Sequence, residues 1–444
     1  MLTAHRDVAV ANLLLERLAD ARQRSDALFQ IVRSEAMYER PIPERHRIIF
    51  YVGHLEAFDW NLLHEQVFGL KSFHPEFDQL FAFGIDPVGG GLPSDQPSDW
   101  PALSVVRDYV SKIRSAFDAK LSSGILDSGS NIRDGFSLET LLNVAIEHRL
   151  MHAETLAYML HQLPLQQKIP RTSPTSIVSP PAEYSMIKIP AGRTTLGLSR
   201  TGSEFGWDNE FEAHTADVPE FEIDRFMVTN GQFLEFVNAG GYQSREFWKD
   251  EDWKWKSERG IWQPVFWNRH NDQWQCRTMF VDVPLPLDWP VYVSHAEAEA
   301  YARWVGKSLP SETQWHRAAY GSPDGMERAY PWGSNSPEPN LGNFDFANWN
   351  PEPVNAHPRG ASAFGVANML GNGWEWSSTV FSPFPGFEPF PFYRGYSADF
   401  FDGKHFVMKG GSMRTTACML RPTFRNWFQA HYQYVYAGFR CVNA

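Results

Sequence analysis

Cysteine is nearly absent from this chain. Three occur in 444 residues, Cys276, Cys418 and Cys441, far apart and with no CxxC pair. That excludes a disulfide framework and a thiolate zinc site, and it fits a reducing cytoplasm. Long apolar runs are missing too, since no stretch approaches the roughly 18 residues that mark a membrane span. The N-terminal segment MLTAHRDVAVANLLLERLADAR spreads its charges on a helical period and has no signal-peptide core. Positive charge is in deficit. A formal net charge of −12 argues against nucleic acid or an anionic membrane as partner. Apolar and aromatic residues, by contrast, are plentiful: 43% of the chain is hydrophobic, with 17 Trp and 33 Phe, enough for more than one core. A length of 444 residues implies two or three domains.

The pattern of apolar residues divides the chain at about residue 162. Before it, LLLERLADARQRSDALFQIV has helical spacing, and a second helix over roughly 44–69 follows Pro41 and Pro43. FGIDPVGGGLPSDQPSDWP (84–101) reads as an irregular loop. Two more helices follow, VVRDYVSKIRSAFDAKL and SLETLLNVAIEHRLMHAETLAYMLHQL, the latter opening with the capping-box pattern Ser137-Leu-Glu139-Thr140. Four amphipathic helices of these lengths predict an antiparallel bundle over 1–162, a fold that holds metal sites between facing helices. Residues 163–183, rich in Pro, Ser, Thr and Gln, read as a surface linker. From 184 to 444 strands are short and Gly and Pro recur about every ten residues. Only two helices are readable there, NGQFLEFVNAG after Thr229 and SHAEAEAYARWVG from Ser294. The chain is thus expected to be an α+β multidomain protein.

Within the helical half, three histidines stand in apolar helical stretches: His54 in IIFYVGHLEAFDWNLL, and His148 and His152 in VAIEHRLMHAETLAYML. An i/i+4 pair projects from one helix face about one turn apart. With a third imidazole from a neighbouring helix, such a pair can cap one face of a metal and leave the opposite positions open for substrate and O2. Taken singly, each histidine is equally well read as a buried helix residue with a satisfied hydrogen bond. Spacing alone does not join His54 to the pair.

The second half resembles the formylglycine-generating-enzyme (sulfatase-modifying factor) fold, a C-type-lectin-like architecture. The resemblance runs through MIKIPAGRTTLG at 186–197, FMVTNGQFLEFV at 226–237, WPVYVSHAEAEAYARWVGKSLPSETQWHRAAYG at 289–321, YPWG at 330–333, GVANMLGNGWEWSSTVF at 365–381, VMKGGS at 407–412 and AGFRCV at 437–442. The first half resembles a DinB-like four-helix bundle. Bundle first and lectin-like domain second is the layout of the ergothioneine-biosynthesis sulfoxide synthases and their ovothiol-pathway relatives. The segments at 205–230, 384–403 and 421–427 resemble that branch specifically. The resemblance implies a non-haem Fe(II) on His54, His148 and His152, between bundle and lectin-like domain. It also implies the use of O2 to join a thiol sulfur to an imidazole carbon of a histidine derivative, giving a sulfoxide. Formylglycine generation is disfavoured: it uses two cysteines shortly after GGS, and here MRTTACMLRP offers only Cys418.

Departures from the family pattern concern the proton donor and specificity. A family tyrosine precedes Pro-Gly after WEW, but SPFPGF places Phe384 there, and a phenyl ring has no proton to donate. Tyr109, Tyr393 and Tyr396 are the candidate substitutes. Met151 stands where branch members often carry Gln before the last histidine. Phe428 follows Asn426-Trp427 where the γ-glutamylcysteine-using branch has an acidic residue, so cysteine or another small thiol, or a selenol, is the expected donor. The Trp427 indole suits a trimethylammonium by cation–π attraction, about 0.5–2 kcal/mol. The Asn426 amide suits a carboxylate, which together favour hercynine (Nα-trimethylhistidine) over histidine. Arg107 on the third helix and Arg425 in RPTFRNW are further candidates for substrate binding. A structural Ca2+ near Asn368, Gly371, Asn372, Gly373 and Glu375 is a weaker expectation. Alternatives left open are C–Se bond formation, thiol dioxygenation, and a non-catalytic lectin-like binding module. The oligomeric state is not legible.

Overall fold

Helices dominate the first 171 residues and short strands the rest. The computed structural model describes residues 2–83, 92–123, 131–171 and 182–443, and it divides into two compact units, Met1–Arg171 and Thr172–Ala444.

The first unit contains α1 (Leu2–Phe29), α2 (Ile48–Leu63), α3 (Pro75–Phe83), α4 (Leu103–Leu121) and α5 (Leu138–Gln162). The long helices pack α1 on α5, α2 on α4 and α2 on α5, with α3 laid against α2. Helix α2 is buried on nearly every side, which is why its sequence is apolar all round rather than on one stripe. It is shorter than the 44–69 expected, because Arg47 holds extended backbone as its N-cap and the chain leaves helical geometry after His64. Helix α3 was not expected at all. At the start of α5 the Ser137 hydroxyl accepts from the Thr140 amide at 3.2 Å. The cap forms, but Thr140 occupies the third helical position, so no Glu or Gln returns the bond as in a full capping box.

The expected loop 84–101 falls partly outside the described residues (84–91). Its second part is well tied: the Asp95 carboxylate accepts from Arg40, from Arg47 Nε at 2.8 Å and from Trp100 Nε1 at 2.7 Å. Of the expected linker, residues 172–181 are outside the described set. Its beginning is held to the first unit by the Ile169 amide on the Ile31 carbonyl (2.7 Å), with buried Lys168 donating to the Leu160 carbonyl.

The second unit is mixed. A four-stranded sheet runs in the order Asn426–Gln429, His405–Gly411, Gly373–Val380, Ala437–Gly438, the last pairing parallel and the others antiparallel. A three-stranded antiparallel sheet joins Val442–Asn443, Phe221–Asp224 and Met186–Ile189. A meander over Trp267–Pro284 turns through Asn271 and Asp272, both at positive φ, as a tight hairpin requires. Four helices occur among the described residues, not the two read from sequence: α6 (Asn230–Asn238), α7 (Asp250–Arg259), α8 (His295–Trp304) and α9 (Glu312–Tyr320). Helices α6, α8 and α9 all start on capping boxes, Thr229/Gln232, Ser294/Glu297 and Ser311/Gln314.

At the centre of this unit two of the sequence motifs meet. Arg440 of AGFRCV and Glu375 of GNGWEW are both fully buried and form a bidentate pair at 2.6 Å, with Trp315 Nε1 donating to the same carboxylate at 2.8 Å. A buried pair of this kind is stable only because both partners are satisfied. It also corrects the Ca2+ expectation. Both Glu375 oxygens are already bound to a cation, and the Asn372 side-chain oxygen accepts from Asn343 and from the Glu352 amide. Glu375 and the Asn372 side chain therefore have no oxygen to spare for a calcium ion.

Candidate metal centre and aromatic box

Helices α2 and α5 bring the three histidines together. One ring nitrogen from each of His54, His148 and His152 lies within 4.8 Å of the others, the only such cluster of metal-capable groups among the described residues. His54 Nε2 and His152 Nε2 are 3.2 Å apart. Two imidazoles bound cis to one ion at about 2.1 Å would stand ~3.0 Å apart, so this pair already has ligand spacing. The His54 Nδ1–H donates to the Phe81 carbonyl at 2.6 Å, leaving Nε2 with its lone pair toward the cluster.

Aromatic rings wall the site. Phe50 and Phe58 stand one turn before and after His54 on α2. Phe58 stacks on His148 at 3.4 Å between centroids, Phe50 on His54 at 4.6 Å, and Tyr51 lies 5.7 Å from His152. Burial among these rings disfavours the charged form of each imidazole. It pushes the His54 pKa down to about 4, against a partial offset from the Phe81 bond. His148 and His152 are held well below the usual range by burial and then by their neighbouring imidazoles. All three are neutral at pH 7, which is the state a metal binds.

Beside this face lies a buried charge cluster. Arg149, fully buried, donates to Asp59 at 2.7 Å and to the Leu55 carbonyl at 3.0 Å and pairs with Glu56 at 3.0 Å; Arg114 also holds Glu56 at 2.7 Å. Arg107, a candidate for substrate binding, is exposed. It lines a cavity of about 210 Å3 with Asp26, Glu56, Arg114 and Arg149 that none of the three histidines lines. Tyr109, a candidate proton donor, is committed elsewhere. Its hydroxyl donates to Asp78 at 2.6 Å, and burial with that carboxylate raises its pKa far above the usual value. Met151 is partly buried on α5 beside His152.

In the second unit, Trp427 joins an aromatic box. Phe381 stacks on one face of its indole at 4.2 Å, Tyr396 stands edge-on at 5.4 Å and Phe400 is tilted at 5.7 Å; Tyr396 in turn stacks on Trp207 at 4.0 Å. Tyr393 is 5.6 Å from Tyr396, its phenol pushed up to about 12 by burial and then by Asp208. Asp208 accepts from Ser397 at 2.6 Å and is itself raised to about 6 by burial. The Asn426 side-chain oxygen accepts from the Trp427 amide at 2.9 Å.

Two expectations change. Arg425 does not present a free guanidinium: it pairs with Glu312 at 2.9 and 3.1 Å, donates to the Ser382 carbonyl, and lies 4.0 Å above the Phe384 ring. It braces the box. Phe428 is next to Trp427 on a strand, and successive side chains point to opposite faces. It stacks on Tyr432 at 4.8 Å, away from the ring cluster around Trp427. Missed from sequence were Phe50 and Phe58, whose i±4 spacing about His54 was a usable signal, and Trp207 and the Phe81 carbonyl, for which there was none.

Residues 175–444 match the sulfatase-modifying factor enzyme 1-like domain. Over 398 residues the chain is 34% identical to the hercynine oxygenase of Mycobacterium tuberculosis, covering 86% of this chain and 89% of that one. It is 34% identical to the hercynine oxygenase of Mycolicibacterium smegmatis, over 96% and 97% of the two chains. The chain belongs to the family of ergothioneine-biosynthesis sulfoxide synthases. A fungal member, ergothioneine biosynthesis protein 1 of Neurospora crassa, is 27% identical over 93% of this chain and 55% of its own. Membership covers both units, not the second alone. Cys276, Cys418 and Cys441 form no disulfide. No helix among the described residues is long and apolar enough to cross a membrane.

Proposed function

We propose that the chain is a non-haem Fe(II)- and O2-dependent oxygenase that joins a small thiol to the imidazole of hercynine, giving a sulfoxide in ergothioneine biosynthesis. The observation that carries this reading is the cluster of three neutral, buried imidazoles on α2 and α5, in a chain similar to hercynine oxygenases over nearly its whole length. The helical unit is read as a DinB-like bundle over 1–162, followed by the linker 163–183 and the lectin-like domain 184–444.

His54, His148 and His152 would hold the iron. Three neutral ligands fit an ion that keeps its full charge and open positions for small molecules. When bound, the iron supplies one-electron and oxygen chemistry and a shared template for thiol and imidazole. The chain's residues do the rest. Phe50, Phe58 and Tyr51 exclude water around the ligands. Trp427, with one indole face stacked by Phe381, offers its other side to the trimethylammonium of hercynine. By the alternation of the strand, Asn426 shares the face of Phe428 rather than that of Trp427, so the substrate contact in the box is assigned to Trp427 alone. Tyr393 is taken as the proton donor: of the three candidate phenols Tyr109 donates to Asp78 and Tyr396 stacks on Trp207, and Tyr393 stands 5.6 Å from Tyr396 at the edge of this box. Cysteine is favoured over γ-glutamylcysteine as donor because the position after Asn426-Trp427 is Phe428, which offers an ammonium no charge partner whichever face of the strand it lies on.

The test is anaerobic Fe(II) loading, then O2 with hercynine and a panel of thiols, read by mass spectrometry. A sulfoxide with cysteine is expected. Stoichiometric iron with no coupled product would contradict the reaction, and absence of iron binding would return the chain to a non-catalytic binding module.

A further inference from the structure

Helix α3 approaches α2 unusually closely, at one point. Gly53, the residue before His54, is in the middle of α2, where glycine costs about 1 kcal/mol relative to alanine. A Cβ there would lie 2.4 Å from a ring carbon of Phe81. The ring of Phe81 therefore occupies the space a side chain would need. Phe81 is fully buried and belongs to the last turn of α3, where helix carbonyls lack a partner within the helix. Its carbonyl is the group that accepts the His54 Nδ1–H at 2.6 Å. One turn earlier α3 is also anchored through Asp78, which accepts from the Tyr109 hydroxyl at 2.6 Å and whose carbonyl accepts from Asn61 of α2 at 3.0 Å.

We infer that α3 is a positioning element for the metal centre: the Phe81 carbonyl locks the His54 ring with Nε2 toward the other two imidazoles, and Gly53 is what allows α3 close enough to do so. The inference rests on reading the three histidines as a metal site. A ligand histidine free to rotate or to take the other tautomer binds more weakly, and loss of such an outer contact typically costs 10–100-fold in metal affinity. Tyr109 acts here by holding α3 in place rather than by giving a proton.

The test uses Co(II) as a probe ion in the full chain, with affinity from chelator competition and geometry from its visible bands. Gly53→Ala should weaken binding by at least about tenfold. Phe81→Leu keeps the carbonyl and should bind within about threefold of wild type. The double variant Gly53→Ala/Phe81→Ala removes all three ring carbons that the new methyl would meet and should recover both affinity and spectrum. A Gly53→Ala protein that binds as wild type, or a double variant that stays weak, overturns the inference. A second measurement needs no glycine variant: imidazole 15N resonances of metal-free protein, with His54 identified by its loss in His54→Gln. The Nδ1–H tautomer is expected. A wild-type protein that binds Co(II) with His54 in the Nε2–H form refutes the positioning role, whereas one that binds no metal refutes the metal reading and this inference with it.

Discussion

Arg149→Met should destabilise the helical unit, and by an amount that depends on pH. Arg149 is fully buried and is the only cation bonded to Asp59 among the described residues, whereas Glu56 also has Arg114 at 2.7 Å and Arg22 at 4.0 Å. Burial raises the Asp59 pKa, to about 6, even with Arg149 in place. Burial would raise Glu56 as well, but Arg149, then Arg114 and Arg22, outweigh it and hold it low. Breaking a buried pair by removing one partner costs about 3–5 kcal/mol. The retained Arg114 and Arg22 place the expected loss at the lower end, about 3 kcal/mol at pH 8. With Arg149 gone, Asp59 titrates higher still in the folded state than in the unfolded one, and Glu56 loses the largest of the charges that hold it low. Between the unfolded value near 3.9 and the raised folded value, the folded state binds more protons, so stability falls as pH rises. The deficit should therefore be small at pH 5 and full at pH 8, narrowing by up to about 1.4 kcal/mol per pH unit for each carboxylate that protonates. Denaturant unfolding of metal-free protein at both pH values measures it. Adding Asp59→Asn should recover much of the loss at pH 8 and flatten its pH dependence. A loss below about 1 kcal/mol, or one equal at pH 5 and pH 8, would refute the reasoning.

Trp427→Ala should raise KM for hercynine roughly tenfold relative to histidine, equivalent to about 1.4 kcal/mol, in steady-state assays with both substrates; equal effects would make the indole a packing residue. Tyr393→Phe should lower the yield of coupled sulfoxide in favour of simple thiol oxidation, whereas Tyr109→Phe should not, by product analysis under single-turnover conditions. Arg425→Ala should leave Glu312 buried without its cation and cost about 3 kcal/mol in unfolding experiments, with little change in KM among molecules that remain folded. Cysteine should exceed γ-glutamylcysteine at least tenfold in kcat/KM, about 1.4 kcal/mol. Phe428→Asp tests whether that position faces the donor at all.

How much of this was legible in the sequence differs between the two units. The helical pattern located α1, α4 and α5, because their apolar spacing is long and regular. Helix α3 was invisible: nine residues, opening on Pro75 and with Phe73, Phe77 and Phe81 close together, carry too little periodicity to separate a helix from a buried turn. Helix α9 is not legible from apolar periodicity although Ser311 and Gln314 spell its capping box, because its nine residues make only about two and a half turns. At the candidate site, the i/i+4 spacing of His148 and His152 predicts their shared face, but the approach of His54 is a tertiary fact. The roles of Arg425, Tyr109 and Glu375 turned on pairing with Glu312, Asp78 and Arg440, over separations of 113, 31 and 65 residues. A sequence read element by element does not show such partners. Phe428 illustrates the opposite case: the alternation of a strand already separates it from Trp427, once the strand is recognised.

The central claim is that three imidazoles hold one iron, and metal stoichiometry tests it most directly. Wild type, His54→Ala, His148→Ala and His152→Ala, each loaded anaerobically with Fe(II), desalted and assayed for metal, should give about one iron per wild-type chain and only a small fraction of that in every variant, with the apo fold retained by circular dichroism. A wild-type chain without iron, or a His148→Ala variant that retains a full equivalent, would contradict it.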